Sequence, residues 1–180
     1  MRVITGTARG RRLKELKGNE TRPTTDRVKE GIFNIIQFDI EGRRVLDLFG
    51  GTGQLGIECL SRGAESATFV DARTDATNLI RENLALTELS DRAKVLTADY
   101  AGVLSSATEK YDIVFLDPPY ETKLLERSLE LISQFDILRE HGIIVCESPQ
   151  EKTLPELSEP YHKYRAYRYG KIKVTIYHRD

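Results

Sequence analysis

From Arg43 onward, short runs of consecutive apolar residues alternate with longer stretches whose apolar positions recur every third or fourth residue. The first pattern suits a strand buried on both faces, the second an amphipathic helix. Together they predict strands over 45–48, 67–70, 93–96, 111–116 and 142–146. The intervening helices fall over 54–62, 75–86 and 124–135, with a short one near Ala101. Strand and helix in this order build a parallel sheet through right-handed crossovers: an open, doubly wound α/β sheet with helices on both faces and ligands at the carboxyl ends of the strands. The stretch HKYRAYRYGKIKVTIYHR departs from this plan. Residues 164–169 and 171–178 read as strands joined at Gly170 with no helix between, hence an antiparallel C-terminal hairpin.

Ahead of the alternation, RVITG and RRLKEL flank a turn rich in Gly and Arg, which predicts a basic β-hairpin or arm up to Leu16, followed by loop over 17–21. In TRPTTDRVKEGIFNIIQF, Pro23 forces an extended approach. Thr25 or Asp26 can then cap a helix whose apolar face is Val28, Ile32, Ile35 and Ile36. With 180 residues the chain suits one domain of ordinary size. Residues 1–41 form a basic N-terminal extension packed on the same unit as the sheet domain, 42–180.

At 39% hydrophobic and 31% charged, the composition is that of a globular protein rather than a disordered one. No apolar run approaches the ~18 residues of a membrane span, and MRVITGTARGRR holds no apolar signal segment, so a cytoplasmic protein is expected. Cys59 and Cys146 stand far apart in apolar surroundings and read as reduced core thiols. His141, His162 and His178 lack ligand spacing, and no metal is expected. The net charge of −1 hides an asymmetry: residues 1–30 hold nine Lys and Arg against four Asp and Glu, and residues 161–180 hold six against one. If the two basic ends meet on one face, they form a patch suited to a phosphate backbone.

VLDLFGGTGQLGIE follows the first strand and opens a helix, with Gly51, Gly53 and Gly56 in GxGxxG spacing and Asp71 at the end of the second strand. That constellation implies a nucleotide-type ligand: glycines permit close backbone approach, helix-start amides donate, and Asp71 accepts from ribose hydroxyls. NAD and S-adenosylmethionine both use such a turn. Asp47 favours the second, because its carboxylate would repel a pyrophosphate and welcome an ammonium. Asp99, after the third strand, is placed to accept from an adenine amino group.

FLDPPY ends the fourth parallel strand at the same rim. Asp117, Pro118 and Pro119 present a stiff row of acceptors, a carboxylate plus a main-chain carbonyl, and two acceptors suit one NH2 group. An exocyclic amine on a base is a poor nucleophile; holding both hydrogens orients its nitrogen, and Asp117 offsets the charge that develops there. Tyr120 supplies a face on which an unstacked base can lie. No Walker loop, GxSxG or HExxH occurs.

These residues carry a resemblance that covers nearly the whole chain. RGRRL, RPTTDRVKEGIFN, DLFGGTGQLGIECLSRGA, FVDA, FLDPPY and the late Tyr169-Gly170 are similar to the bacterial 16S ribosomal RNA guanine-N2 methyltransferases of the RsmD type, within the Rossmann-like S-adenosylmethionine enzymes. The pairing of RPTTDRVKE with DPPY is the specific part. The resemblance implies that Asp47, Leu48, Phe49, Gly50, Gly51, Thr52 and Gly53, with Asp71, Ala72, Asp99 and Tyr100, hold S-adenosylmethionine. It implies further that Asp117, Pro118, Pro119 and Tyr120 hold the target guanine. Arg9, Arg11, Arg12, Arg22 and Arg27 would contact ribosomal RNA or an assembling small subunit, the protein acting as a monomer. Gly50, Thr52, Gln54 and Asp71 depart mildly from the family pattern. Arg22, Thr24, Arg27 and Glu30 could be functional or merely structural. The expected reaction is methyl transfer from S-adenosylmethionine to the N2 amine of a guanine in small-subunit ribosomal RNA. Rival readings are an amino methyltransferase acting on DNA adenine or another RNA, a non-catalytic RNA-binding module on the same fold, and NAD-dependent oxidoreduction.

Overall fold

A computed structural model describes residues 1–18, 25–120 and 122–180. Along the chain it places α1 (Asp26–Ile36), β1 (Arg44–Asp47), α2 (Gln54–Ser61), β2 (Ser66–Asp71), α3 (Thr74–Thr87), β3 (Ala93–Thr97), α4 (Tyr100–Ser105), β4 (Tyr111–Leu116), α5 (Leu124–Gln134), β5 (Leu138–Pro149), β6 (Tyr161–Tyr169) and β7 (Ile172–Arg179). The strands form one sheet in the order β3-β2-β1-β4-β5-β7-β6. β1 to β5 are mutually parallel, while β7 runs antiparallel to both β5 and β6. The expected doubly wound sheet with an antiparallel C-terminal pair is therefore what forms. All six residues of β4 are buried, as a strand covered on both faces requires. One face packs Phe33 of α1, Ile57 of α2 and Ile80 of α3 against Phe69 and Phe115; the other packs Leu104 of α4 and Leu129 of α5 against Val114 and Ile144.

β5 is longer than the expected 142–146. Its last residues, Glu147 to Pro149, are strand because they pair with Val174, Lys173 and Ile172 of β7, a partner distant in sequence that a local apolar pattern does not reveal. The N-terminal segment is less of a hairpin than its sequence suggests, with one antiparallel bridge, Arg2 to Arg12. Val3, Ala8 and Leu13 are buried. Ser61 Oγ accepts from the Ala8 amide at 2.9 Å and donates to the Thr5 carbonyl at 2.6 Å. The Glu58 carboxylate accepts from the amides of Ile4 (2.9 Å) and Thr5 (3.0 Å).

Thr25 caps α1, its hydroxyl accepting from the Val28 amide at 3.4 Å. Val28, Ile32 and Ile36 are buried as expected and Ile35 partly so, joined by Phe33 and, unexpectedly, Lys29. The Lys29 ammonium lies 3.3 Å from Glu58 with both side chains 0% exposed, and it donates to the Arg2 carbonyl at 3.0 Å. Burial pushes the Lys29 ammonium below its ordinary value while Glu58 pulls it back. Arg62 Nη2 lies 3.0 Å from the same carboxylate. A buried charge pair persists when its lone pairs and protons are satisfied in this way. It ties α1, α2 and the N-terminal segment into one piece.

Candidate active site

The strand order reverses at β1, which lies between β2 and β4, and in open α/β sheets that reversal opens a crevice at the carboxyl ends of the strands. The glycine loop leaves β1 there. Leu48 still donates to the Phe115 carbonyl at 3.2 Å, Gly50 to the Val70 carbonyl at 2.8 Å, and Gly53 to the Gly50 carbonyl at 2.7 Å. Gly51 and Gly53 have φ of 57° and 82°, left-handed values that favour glycine. A Cβ on Gly56 would sit 2.4 Å from the Phe69 ring, so that glycine serves close packing of α2 on β2. A Cβ on Gly51 would meet nothing within 4 Å, leaving the loop open on that side.

Three carboxylates flank the loop. Asp47, 1% exposed, accepts from the Gly56 amide at 3.2 Å. Burial pushes it up to about 7, opposed by the Gly56 amide and reinforced by the charge on Asp71. Asp71 accepts from Gly51 at 3.0 Å and from Arg73 at 2.9 Å, so it shapes the loop besides lining it. Asp99 caps α4, its Oδ2 accepting from Ala101 and Gly102 at 3.1 and 3.2 Å. The rings of Phe49 and Tyr100 lie 5.5 Å apart beside it, and Ala72 is exposed. Thr52 and the buried Leu48 complete the loop.

Asp117 to Tyr120 leave β4 on the same rim, since Asp47 pairs with Phe115 across the β1–β4 ladder. Asp117 and Tyr120 are half-buried, Pro118 is buried and Pro119 exposed. The Pro119 carbonyl accepts from the Thr122 hydroxyl at 2.8 Å. The Tyr120 hydroxyl donates to the carboxylate of Glu147, which is 4% exposed. Glu147, Ser148 and Lys152 border a narrow cleft with Pro118 and Tyr120. The structure thus brings the glycine loop, Asp47, Asp71 and the DPPY segment to one rim.

The predicted RNA contacts are distributed differently. Arg9, Arg12 and Arg27 are exposed, and Arg12 lines an open cleft of about 430 Å3 with Met1, Arg2 and Asp26, where Met1 Sδ accepts from the Thr52 hydroxyl of the glycine loop at 3.6 Å. Arg11 is engaged on α3, donating to the Leu86 carbonyl at 2.6 Å and pairing with Glu88. Arg22 and Thr24 lie outside the described residues. Among the described residues, no ion pair joins Arg27 to Glu30, and no group of three His, Cys, Asp or Glu is arranged to hold a metal ion. Likewise none of their helices is long and apolar enough to cross a membrane.

Sequence reasoning missed Asn83. Buried on α3, it donates to the Thr52 carbonyl at 2.9 Å and to the Lys14 carbonyl at 3.1 Å, and accepts from the Lys14 amide at 2.8 Å. It thereby joins the glycine loop to the N-terminal segment. A polar residue in phase with Ala76, Ile80 and Leu84 was the available signal, as Lys29 was on α1. Glu147 had a comparable one, a carboxylate closing the apolar run GIIVC.

A family model described as Conserved hypothetical protein 95 matches residues 1–178. A candidate rRNA methyltransferase of Bacillus subtilis, YlbH, is 44% identical over 180 residues, covering 98% of this chain and 98% of its own. The ribosomal RNA small subunit methyltransferase D of Escherichia coli is 33% identical over 180 residues, 100% of this chain and 90% of that protein. Among solved structures, a candidate methyltransferase of Escherichia coli, yhhF, superposes with a TM-score of 0.90 at 32% identity, covering 100% of this chain and 98% of that one.

Proposed function

The chain belongs to the family described as Conserved hypothetical protein 95, and from that premise we propose that it is an S-adenosylmethionine-dependent methyltransferase acting on the exocyclic N2 amine of a guanine in small-subunit ribosomal RNA. The observation that carries the reading is the adjacency of β1 and β4, which sets a glycine loop rich in acceptors beside Asp117-Pro118-Pro119-Tyr120. The ribosomal RNA methyltransferases among its relatives support the substrate class.

The residues of the loop fit the cofactor. Asp47 is a buried acceptor at the head of the loop, and Gln54 Oε1 is a second one without a hydrogen-bond partner among the described residues. An ammonium suits that set and a pyrophosphate does not. Asp47 to Gly53, Asp71, Ala72, Asp99 and Tyr100 would hold the cofactor, Asp71 through ribose hydroxyls and Asp99 near the adenine. When bound, S-adenosylmethionine supplies an electrophilic methyl group on a sulfonium, open to direct displacement by a nitrogen with no covalent enzyme intermediate.

The chain's own task is to present that nitrogen. Asp117 and the Pro118 carbonyl accept the two amine hydrogens, which orients the lone pair, and the carboxylate offsets the positive charge growing on nitrogen. Tyr120 stacks on the base once it is extruded, an interaction worth ~1–3 kcal/mol. Arg9, Arg12 and Arg27 supply phosphate contacts, Arg11 only after release from Glu88, and Arg22 belongs to the same group. The enzyme works as a cytoplasmic monomer, with residues 1–41 serving the RNA and 42–180 the chemistry.

Incubation of labelled cofactor with bulk RNA, bulk DNA and undermethylated small-subunit particles tests the proposal. N2-methylguanine in ribosomal RNA is expected; label confined to DNA adenine, or binding of NAD alone in calorimetry, would overturn it.

A further inference from the structure

Glu147 lies within β5 one residue beyond the pair Leu116–Cys146, and Asp117 is the residue that follows β4, so the two carboxylates stand side by side on neighbouring strands about 4.8 Å apart. Burying a carboxylate is costly unless donors reach it. The Tyr120 hydroxyl is one donor to it, and a carboxylate can accept several hydrogen bonds at once. The group borders a narrow cleft together with Pro118 and Tyr120, two of the residues that the functional reading sets against the base.

We infer that Glu147 selects the base: its carboxylate accepts the ring N1–H of the guanine whose N2 amine is held by Asp117 and Pro118. This rests on the guanine reading above. Guanine offers N1–H and N2–H2 side by side as donors, whereas adenine offers an unprotonated ring nitrogen beside its amine. A carboxylate here bonds the first and meets the lone pair of the second. The Tyr120 bond keeps the carboxylate in place and the ring beneath the base. Holding Tyr120 alone would be done as well by glutamine, whose amide oxygen accepts the same hydroxyl. Selection would not be, because the amide NH2 can donate to an unprotonated ring nitrogen.

The test begins by mapping the methylated nucleotide on small-subunit particles with wild-type enzyme. RNA is then ligated to carry either guanine or 2-aminopurine at that one position; the analogue keeps the N2 amine and lacks N1–H. Wild type is expected to favour guanine in kcat/KM by at least ~100-fold, as a site built around a hydrogen-bond donor rejects an analogue without it. Glu147→Gln is expected to shrink that preference to below ~10-fold. A wild type indifferent to the analogue overturns the assignment, and so does a folded Glu147→Gln that slows both substrates equally. If Glu147→Gln fails to fold, the wild-type comparison still decides. A mapped product other than N2-methylguanine overturns the functional reading itself, whereas N2-methylguanine formed without dependence on N1–H overturns only the role of Glu147.

Discussion

Asp117 and Asp71 sit on the same rim, the proposed function gives them different tasks, and their variants should separate these. Asp117→Ala removes an acceptor used as charge develops on nitrogen, so kcat should fall about 10²–10³-fold with cofactor affinity nearly unchanged. Asp71→Ala frees the Gly51 amide and removes the acceptor for the ribose; cofactor Kd should rise roughly tenfold, with kcat at saturation little changed. Single-turnover kinetics with calorimetry of cofactor binding checks both. Asp47 adds a pH dependence. Its folded value of about 7 lies above the ordinary 3.8, so the folded protein holds that proton more tightly. The resulting stabilisation is complete below about pH 4 and is lost as pH rises through 7, up to about 4 kcal/mol. An ammonium beside Asp47 reverses the trend by favouring the charged form. Unfolding followed from pH 5 to 8 should therefore show apo stability declining while the stabilisation by S-adenosylmethionine grows. Asp47→Asn should flatten both curves.

Among the elements, helix and strand types were legible because β1, β2 and β4 are buried on both faces and are built around short apolar runs, whereas α1 and α5 keep one apolar stripe. The ends of β5 and the ties between elements were not legible, because each depends on a partner far along the chain. Asn83 shows the consequence. Asn83→Ala removes three hydrogen bonds and leaves the Lys14 amide and the Thr52 carbonyl short of partners. A loss of about 2–3 kcal/mol in denaturant unfolding is expected, together with weaker cofactor binding, since Thr52 belongs to the loop. Unchanged cofactor affinity in a destabilised Asn83→Ala would separate the loop from the N-terminal segment. Among the candidate site residues, DPPY and the glycine loop stood out for the opposite reason: each is a contiguous motif that needs only the end of a strand to reach the rim.

For the whole molecule, the basic ends of the chain both pack on α1. Lys29 donates to the Arg2 carbonyl, and a Cβ on Gly31 would lie 2.5 Å from the Tyr169 ring of β6. Arg27 stands one helical turn before Gly31 on that side, exposed. β6 adds the exposed Tyr164, Arg165 and Arg168. A net charge of −1 thus coexists with basic segments gathered around one helix. Reversing Arg9 and Arg12 to Glu should raise the KM for RNA and lower the slope of log KM against log salt by about 2, roughly one for each phosphate left without its cation. An unchanged slope would remove this segment from the RNA interface.

By itself the sequence determined the order and type of the elements and singled out the candidate residues for chemistry, because periodicity and short motifs are local properties of a chain. Tertiary structure decided which polar residues are buried partners. Lys29 reads as an exposed helix charge until Glu58 and Arg62 close around it, and Glu147 as the end of a strand until β7 extends β5 and Tyr120 reaches across. Burial turns a polar side chain into a tie or a selector only when its donors and acceptors are met, and those partners come from elements whose proximity no local pattern encodes.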